Sequence, residues 1–296
     1  MKTIIFGGHG MLGKALQKNG DFIAPTSDEV NLMDIDQINK FLKSEKPQKV
    51  LNLAAKVSGI IGNQKKSFDY FYYNTQICLN VLQSCFNNNV DYLLSCSSTC
   101  AYPDQSNVYP LIEEQIFESM PSKYNFGYGL AKRNMIHATS FLNEQHGLNY
   151  GIIIPSNLYG PNDSHFGKTS SHFITNLIYK AINCDSKKIT IGGSGKPLRQ
   201  FTHINDVAKA ILKMLEATDG DILNFASNEI YSILELAQIT LEANSLDYEI
   251  EFDLSFPDGQ FRKDVSSEKF FKKYDLNLTL FADGIRETFN WYKENY

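Results

Sequence analysis

The chain has no excess of positive charge and no apolar run long enough to cross a membrane. With 28 Lys and Arg against 33 Asp and Glu, its formal net charge is −5. A nucleic-acid binder needs a basic face for phosphates, so no nucleic-acid partner is expected. An anionic ligand would have to find its cations locally. No stretch approaches the ~20 apolar residues of a membrane-spanning helix, so no membrane contact is expected. Cysteine is sparse: Cys78, Cys85, Cys96, Cys100 and Cys184 are odd in number and lack the pairing of a metal site. No signal peptide stands ahead of Lys2, which predicts reduced thiols in a cytoplasmic protein. The six histidines are scattered and form no HExxH pattern, so no metal is expected. Low-complexity segments and internal repeats are absent. What is present, 296 residues with 43% hydrophobic and 21% charged content, suffices for one large core or two linked ones beside a sizeable cofactor site.

Apolar runs at 3–6, 50–53, 92–95 and 150–154 alternate with amphipathic stretches starting near Met11, Ile35, Phe71 and Tyr128. Such alternation marks βαβ units building a parallel sheet. Residues 22–24 predict a short second strand. Pro155 and the Gly160-Pro161 pair break the pattern, and a loop-rich stretch runs to about Thr169. Beyond it, helices are predicted near 172–183 and 205–216, a glycine cluster occupies 192–195, and a strand is predicted near 249–252.

Directly after the first strand comes Gly7-Gly8-His9-Gly10-Met11-Leu12-Gly13, with glycines at 7, 10 and 13. A pyrophosphate at a helix N-terminus needs bare backbone N–H groups, and the third glycine lets the helix pack closely on the strand. A tight turn with a helix cap would produce the same letters. The position inside an N-terminal βαβ unit favours a dinucleotide site. The expected architecture is α/β: a doubly wound parallel sheet of the Rossmann kind with a smaller, interleaved α/β substrate domain. The nucleotide-binding domain is placed at 1–156, joined by 203–226, and the substrate domain at 157–202 and 227–296. NAD and NADP stay open, because Pro25-Thr26-Ser27-Asp28 offers neither an acid at the strand tip nor an arginine for a 2′-phosphate.

Tyr128 and Lys132 stand four residues apart, on one face of a predicted helix. A free phenol ionises near pH 10, and a fixed positive charge favours phenolate, so lysine and nicotinamide could poise Tyr128 as acid or base for a carbonyl/alcohol pair. An isolated YxxxK is more simply an amphipathic tyrosine with a solvated lysine. Here the polar cluster Ser97-Ser98-Thr99-Cys100 directly follows a strand, at the carboxyl edge where doubly wound sheets bind ligands. A serine there can hydrogen-bond a substrate oxygen.

With these motifs the chain resembles the extended short-chain dehydrogenase/reductase superfamily, and within it the GDP-L-fucose synthase family. The likeness runs through Asn31-Leu32-Met33-Asp34, Asn52-Leu53-Ala54-Ala55-Lys56-Val57, Ser-Ser-Thr-Cys-Ala-Tyr-Pro from Ser97, Pro-Ser-Asn-Leu-Tyr-Gly-Pro from Pro155, and segments 193–201 and 257–265. The resemblance implies epimerisation at C3 and C5 of GDP-4-keto-6-deoxy-mannose, followed by reduction at C4 by NADPH. It implies that Gly7, Gly10, Met11, Leu12, Gly13, Asp34, Ala54, Ala55 and Lys56 contact the cofactor, Asp34 being otherwise a helix N-cap. Ser98 and Tyr128 match the donors at the C4 oxygen, and Lys132 matches the lysine on the nicotinamide ribose. Cys100 and His172 match the acid–base pair at C3 and C5; singly they read as a core thiol and a capping histidine. Asn157 corresponds to a substrate contact. Arg199, Arg262 and Lys263 correspond to the GDP site, with surface salt bridges as the plain reading.

The chain departs from that pattern in places. His9 and Ser27 replace arginines that would clamp a 2′-phosphate, so NAD is not excluded. Gly192 replaces a common tryptophan and the 157–172 loop is one residue longer, which predicts a roomier pocket and brings a GDP-4-keto-heptose into view. Alternatives are a C4-reductase without epimerase activity, an NAD-retaining sugar 4-epimerase or 4,6-dehydratase, and a non-catalytic dinucleotide-binding regulator. Thr99 and Cys100 after Ser98 count against the dehydratase, which wants an acid there. Long, partly apolar helices at 71–86 and 128–146 predict a homodimer through a four-helix interface, as in relatives of this fold.

Overall fold

Strand β1 (Thr3–Phe6) is buried along its whole length, as a strand covered on both faces must be. In the computed structural model, which describes residues 2–168 and 171–296, it is followed by helix α1 (Met11–Gln17). Residues 22–24 make only a single parallel bridge, Ile23 on Ile4, held by Ile5 N–H to the Ile23 carbonyl at 2.8 Å and Ile23 N–H to the Thr3 carbonyl at 3.0 Å. Pro25 has no N–H to offer, and the ladder stops there. The chain continues through α2 (Ile35–Glu45), β2 (Lys49–Asn52), α3 (Ile60–Lys65), α4 (Ser67–Asn87), β3 (Tyr92–Cys96), α5 (Phe126–His146) and β4 (Gly151–Pro155).

The second half contains β5 (Asn157–Tyr159), α6 (Phe173–Ile182), β6 (Lys188–Gly192), β7 (Leu198–His203), α7 (Ile204–Ala217), β8 (Ile222–Phe225), β9 (Ile230–Ser232), α8 (Ile233–Ala243), β10 (Glu249–Asp253), α9 (Glu268–Lys273) and α10 (Phe281–Asn295). The predicted loop-rich stretch ends at Thr169, outside the described residues.

The central sheet has the order β1-β2-β3-β4-β8, all parallel. Alternate side chains go to opposite faces. Ile5, Leu51, Leu94 and Ile153 pack with α1 and α7, while Ile4, Phe6, Val50 and Leu93 pack with α2 and α4. The sheet is doubly wound in the Rossmann manner. A separate core joins Leu177 and Ile178 of α6 with Ile191 of β6, Leu236 of α8 and Phe289 of α10. Segment 204–225 returns to the first core through Ile211 and Phe225. Ile23 lies on one edge of β1 and β2 on the other. The connections therefore diverge beyond β1 and β2, opening a crevice at their carboxyl ends. No helix among the described residues is long and apolar enough to cross a membrane.

Candidate active site

The crevice starts at Gly7, where φ is +83° and an added Cβ would lie 2.7 Å from the Ala54 backbone nitrogen. Only glycine suits both constraints. At Gly13 a Cβ would sit 2.3 Å from the Gly8 carbonyl oxygen, so α1 rides directly on the turn. Gly10 is the N-cap of α1 and has no side chain to shield the following N–H groups. The cradle fits a pyrophosphate, whose close approach a Cβ would block. His9, in place of an arginine, turns its Nε2 to the Ala24 carbonyl at 3.0 Å.

Beyond β3 the chain bends into a short 3₁₀ turn at Thr99–Ala101, with the Cys100 N–H donating to Ser98 Oγ at 3.2 Å. Helix α5 carries Tyr128 and Lys132 onto this turn. Ser98 and Tyr128 stand on the same wall of the cleft. Lys132, buried, donates from Nζ to the Cys96 carbonyl at 2.7 Å and lies 5.9 Å from the Tyr128 ring centre. Burial pushes the Tyr128 phenol up, with nearby Cys100 and Cys96 adding to it, and the Ser98 hydroxyl only partly offsets the rise. The shift toward phenolate expected from Lys132 is thus outweighed, and the phenol stays protonated. Burial also pushes the Lys132 ammonium down. A neutral phenol beside a hydroxyl is a proton donor for a carbonyl oxygen.

Two donors reach Cys100 Sγ: Asn125 Nδ2 at 2.8 Å and Lys263 Nζ at 3.5 Å. His172, at the N-cap of α6, has Nδ1 3.5 Å from Asp163 Oδ2. Asn157 Nδ2 donates to the Gln200 carbonyl at 3.1 Å. Arg199 Nη1 donates to the Leu198 carbonyl at 2.8 Å, and burial lowers its guanidinium to about 10.

One cleft of about 1000 Å³ takes in most of these groups. Its wall includes Gly7, Gly10, Met11, Leu12, Gly13 and Ala55 from the turn side. Ser98, Tyr128 and Lys132 line it, as do Cys100, His172, Asn157, Arg199 and Lys263. Four sequence-predicted residues stand off that wall. Asp34 caps α2, accepting the Asp36 and Gln37 N–H groups. Ala54 backs onto Gly7. The backbone of Lys56 is clamped by Asn74 at 2.8 and 3.0 Å, and its Nζ lies 4.0 Å over the Tyr73 ring. Arg262 forks onto Asp264 at 2.6 and 3.0 Å and covers Tyr109.

Sequence reasoning missed Asp163, Asn125 and Phe256, all of which line the cleft. Asp163 is a lone acid after Gly160-Pro161-Asn162, and no spacing tied it to His172. Phe256 corrects the expectation at Gly192: a Cβ there would meet Phe256 Cβ and Cγ at 3.0 Å. The space is filled by an aromatic ring from the loop after β10, and the pocket is not opened at that point.

A parallel sheet with a glycine turn after its first strand, and a Ser/Tyr/Lys set at the carboxyl edge, defines a dinucleotide-dependent reductase of the short-chain type. Comparison with known proteins agrees. The family model described as "NAD dependent epimerase/dehydratase family" matches residues 3–226. A GDP-L-fucose synthase of Dictyostelium discoideum is 33% identical over 308 residues, 99% of this chain and 96% of the relative. Among solved structures, a GDP-L-fucose synthetase from Naegleria fowleri bound to NADP superposes with a TM-score of 0.88 at 30% identity, covering 99% of this chain and 93% of that one. A GDP-mannoheptose C4 reductase from Campylobacter jejuni with NADP bound gives 0.87 at 26% identity, covering 99% and 98%. The chain belongs to the NAD dependent epimerase/dehydratase family and, within it, to the GDP-L-fucose synthase family. It is an enzyme of the dinucleotide-dependent oxidoreductase class.

Proposed function

We propose that this protein uses NADPH to reduce C4 of a GDP-4-keto sugar and also exchanges protons at C3 and C5 of that sugar. The observation that carries the reading is the gathering of Ser98, Tyr128 and Lys132 on the wall of the same cleft as the glycine turn. NADP(H) is the cofactor in the solved relatives from Naegleria and Campylobacter, and the turn around Gly7 and Gly13 suits its pyrophosphate. When bound, the cofactor supplies a hydride to the ketone carbon. Tyr128 gives its proton to the oxygen, and solvent restores it. Ser98 holds that oxygen, and Lys132 holds the chain of donors in place. An enolate beside the ketone would use the same two hydroxyls, while Cys100 and His172 handle the proton at carbon. Asn157, Arg199 and Lys263 serve the GDP-sugar, and residues 157–202 and 227–296 form the substrate part.

The sugar is a hexose or heptose of the GDP-linked series, the two kinds named for its relatives. With Phe256 over Gly192, the Gly192 argument for a larger sugar lapses. Phe68, Tyr72 and Leu79 of α4 and Phe141 of α5 are exposed, which favours pairing of two chains through these helices.

Tyr128→Phe should cut reduction of GDP-4-keto-6-deoxy-mannose by roughly 10²–10⁴-fold while leaving NADPH binding intact. Reduction at the parent rate would remove Tyr128 as the donor. In deuterium oxide without NADPH, label should enter C3 and C5; a chain that reduces but incorporates no label is a reductase alone.

A further inference from the structure

The carboxylate of Asp163 is held by two donors and its backbone is tied by a third bond. Oδ2 accepts the Thr175 hydroxyl of α6 at 2.6 Å, and Oδ1 accepts the His165 N–H at 2.9 Å. The backbone N–H of Asp163 donates to Tyr292 Oη of α10 at 2.9 Å. Only 6% of the residue is exposed, yet it lines the cleft, and its remaining neighbour is His172 Nδ1 at 3.5 Å. A buried acid would ordinarily be neutral. Burial does push Asp163 up, but the bonds from His172, Thr175 and the His165 N–H outweigh it and bring the carboxyl to about 2. The group is therefore a fixed anion, and a fixed anion beside one ring nitrogen decides where the ring keeps its proton. His172 makes no side-chain cap bond to α6 among the described residues, so capping does not account for it.

We propose that Asp163 is a positioning residue for proton transfer at the sugar carbons, holding His172 with Nδ1 protonated and leaving Nε2 as the atom that exchanges. This rests on the reading of Cys100 and His172 as the carbon acid–base pair. In the step, Cys100 enters as the thiolate and its Sγ takes a proton from the carbon beside the ketone, while the C–H electron pair moves into the enolate whose oxygen Ser98 and Tyr128 hold. The imidazolium of His172 gives its Nε2 proton to the opposite face of that carbon. The ring becomes neutral and keeps Nδ1–H on Asp163. Cys100 then loses its proton to solvent and His172 regains one, so protons and charge balance. Without the carboxylate the imidazolium loses the anion that favours it, and the neutral ring is no longer held as the Nδ1–H tautomer that leaves Nε2 free to be reloaded.

The test is ¹⁵N NMR of the imidazoles of the full chain, assigned by the signal lost in His172→Gln, together with deuterium entry into GDP-4-keto-6-deoxy-mannose. The parent His172 should be the Nδ1–H tautomer when neutral. Asp163→Asn, which can present an amide N–H to the ring, should move the proton to Nε2. It should also slow deuterium entry by about 100-fold, with NADPH affinity unchanged. Asp163→Glu should recover part of both signals. A parent ring in the Nε2–H form, or parental exchange in Asp163→Asn, overturns the proposal. If the parent ring is Nδ1–H but no label enters carbon, the exchange reading fails and takes the catalytic role of Asp163 with it, while the pairing of the two side chains stands.

Discussion

Replacing Gly13 by alanine tests how closely α1 lies on the glycine turn. The new Cβ would be 2.3 Å from the Gly8 oxygen and 2.4 Å from its carbonyl carbon and Cα. All three are backbone atoms, so no rotamer change relieves the contact and either the turn or the helix must move. Overpacking of this kind costs about 1–3 kcal/mol, and alanine in a helix returns up to about 1 kcal/mol of propensity. A net loss of about 1–2 kcal/mol lowers the melting temperature of a chain this size by about 2–3 °C. Gly10→Ala is the control, because its Cβ meets only the Gly7 oxygen, at 3.4 Å. It should melt within about 1 °C of the parent. Its methyl group would nonetheless stand on the cleft wall, weakening NADPH by on the order of tenfold, or about 1.4 kcal/mol. Calorimetric melting and fluorescence titration read the two effects separately. Equal melting temperatures for Gly13→Ala and the parent would show that the helix does not sit on the turn, and the pyrophosphate cradle would go with it.

Arg262→Ala should lower stability by about 1–3 kcal/mol, because it strands the buried Asp264 carboxylate. Substrate affinity should hardly move; a large rise in KM with unchanged stability would place Arg262 on the ligand instead. Asp163 predicts a pH signature. Its folded value, about 2, lies below the ordinary 3.8, so its stabilisation is present above the usual carboxylate range and is lost as pH falls from about 4 to about 2. The shift is worth about 2 kcal/mol, and urea titrations of parent and Asp163→Asn should converge by that amount across the window. Curves that stay parallel would refute it. Cys100→Ser should slow deuterium entry at C3 and C5 at least tenfold more than reduction of an already epimerised ketone. Equal losses in both assays would take the thiol out of the carbon chemistry.

The legible features of the sequence were those whose physics is local. Gly7 and Gly13 are needed within a turn of a few residues, and the four-residue spacing of Tyr128 and Lys132 is a property of one helix. The buried strands announce themselves as apolar runs because both faces are covered. Residues 22–24 had a strand's composition but made only a bridge, since Pro25 ends the pairing. Tertiary structure decided what depends on approach between distant segments. Lys263 meets a sulfur 163 positions away, Phe256 fills the space that Gly192 alone would leave, and burial decides between the acid and base forms left open for Tyr128, in favour of a neutral donor. Such contacts have no period or spacing to betray them, because they are set by how two cores are docked. A side chain's charge state follows from the neighbours and the water that remain after that docking.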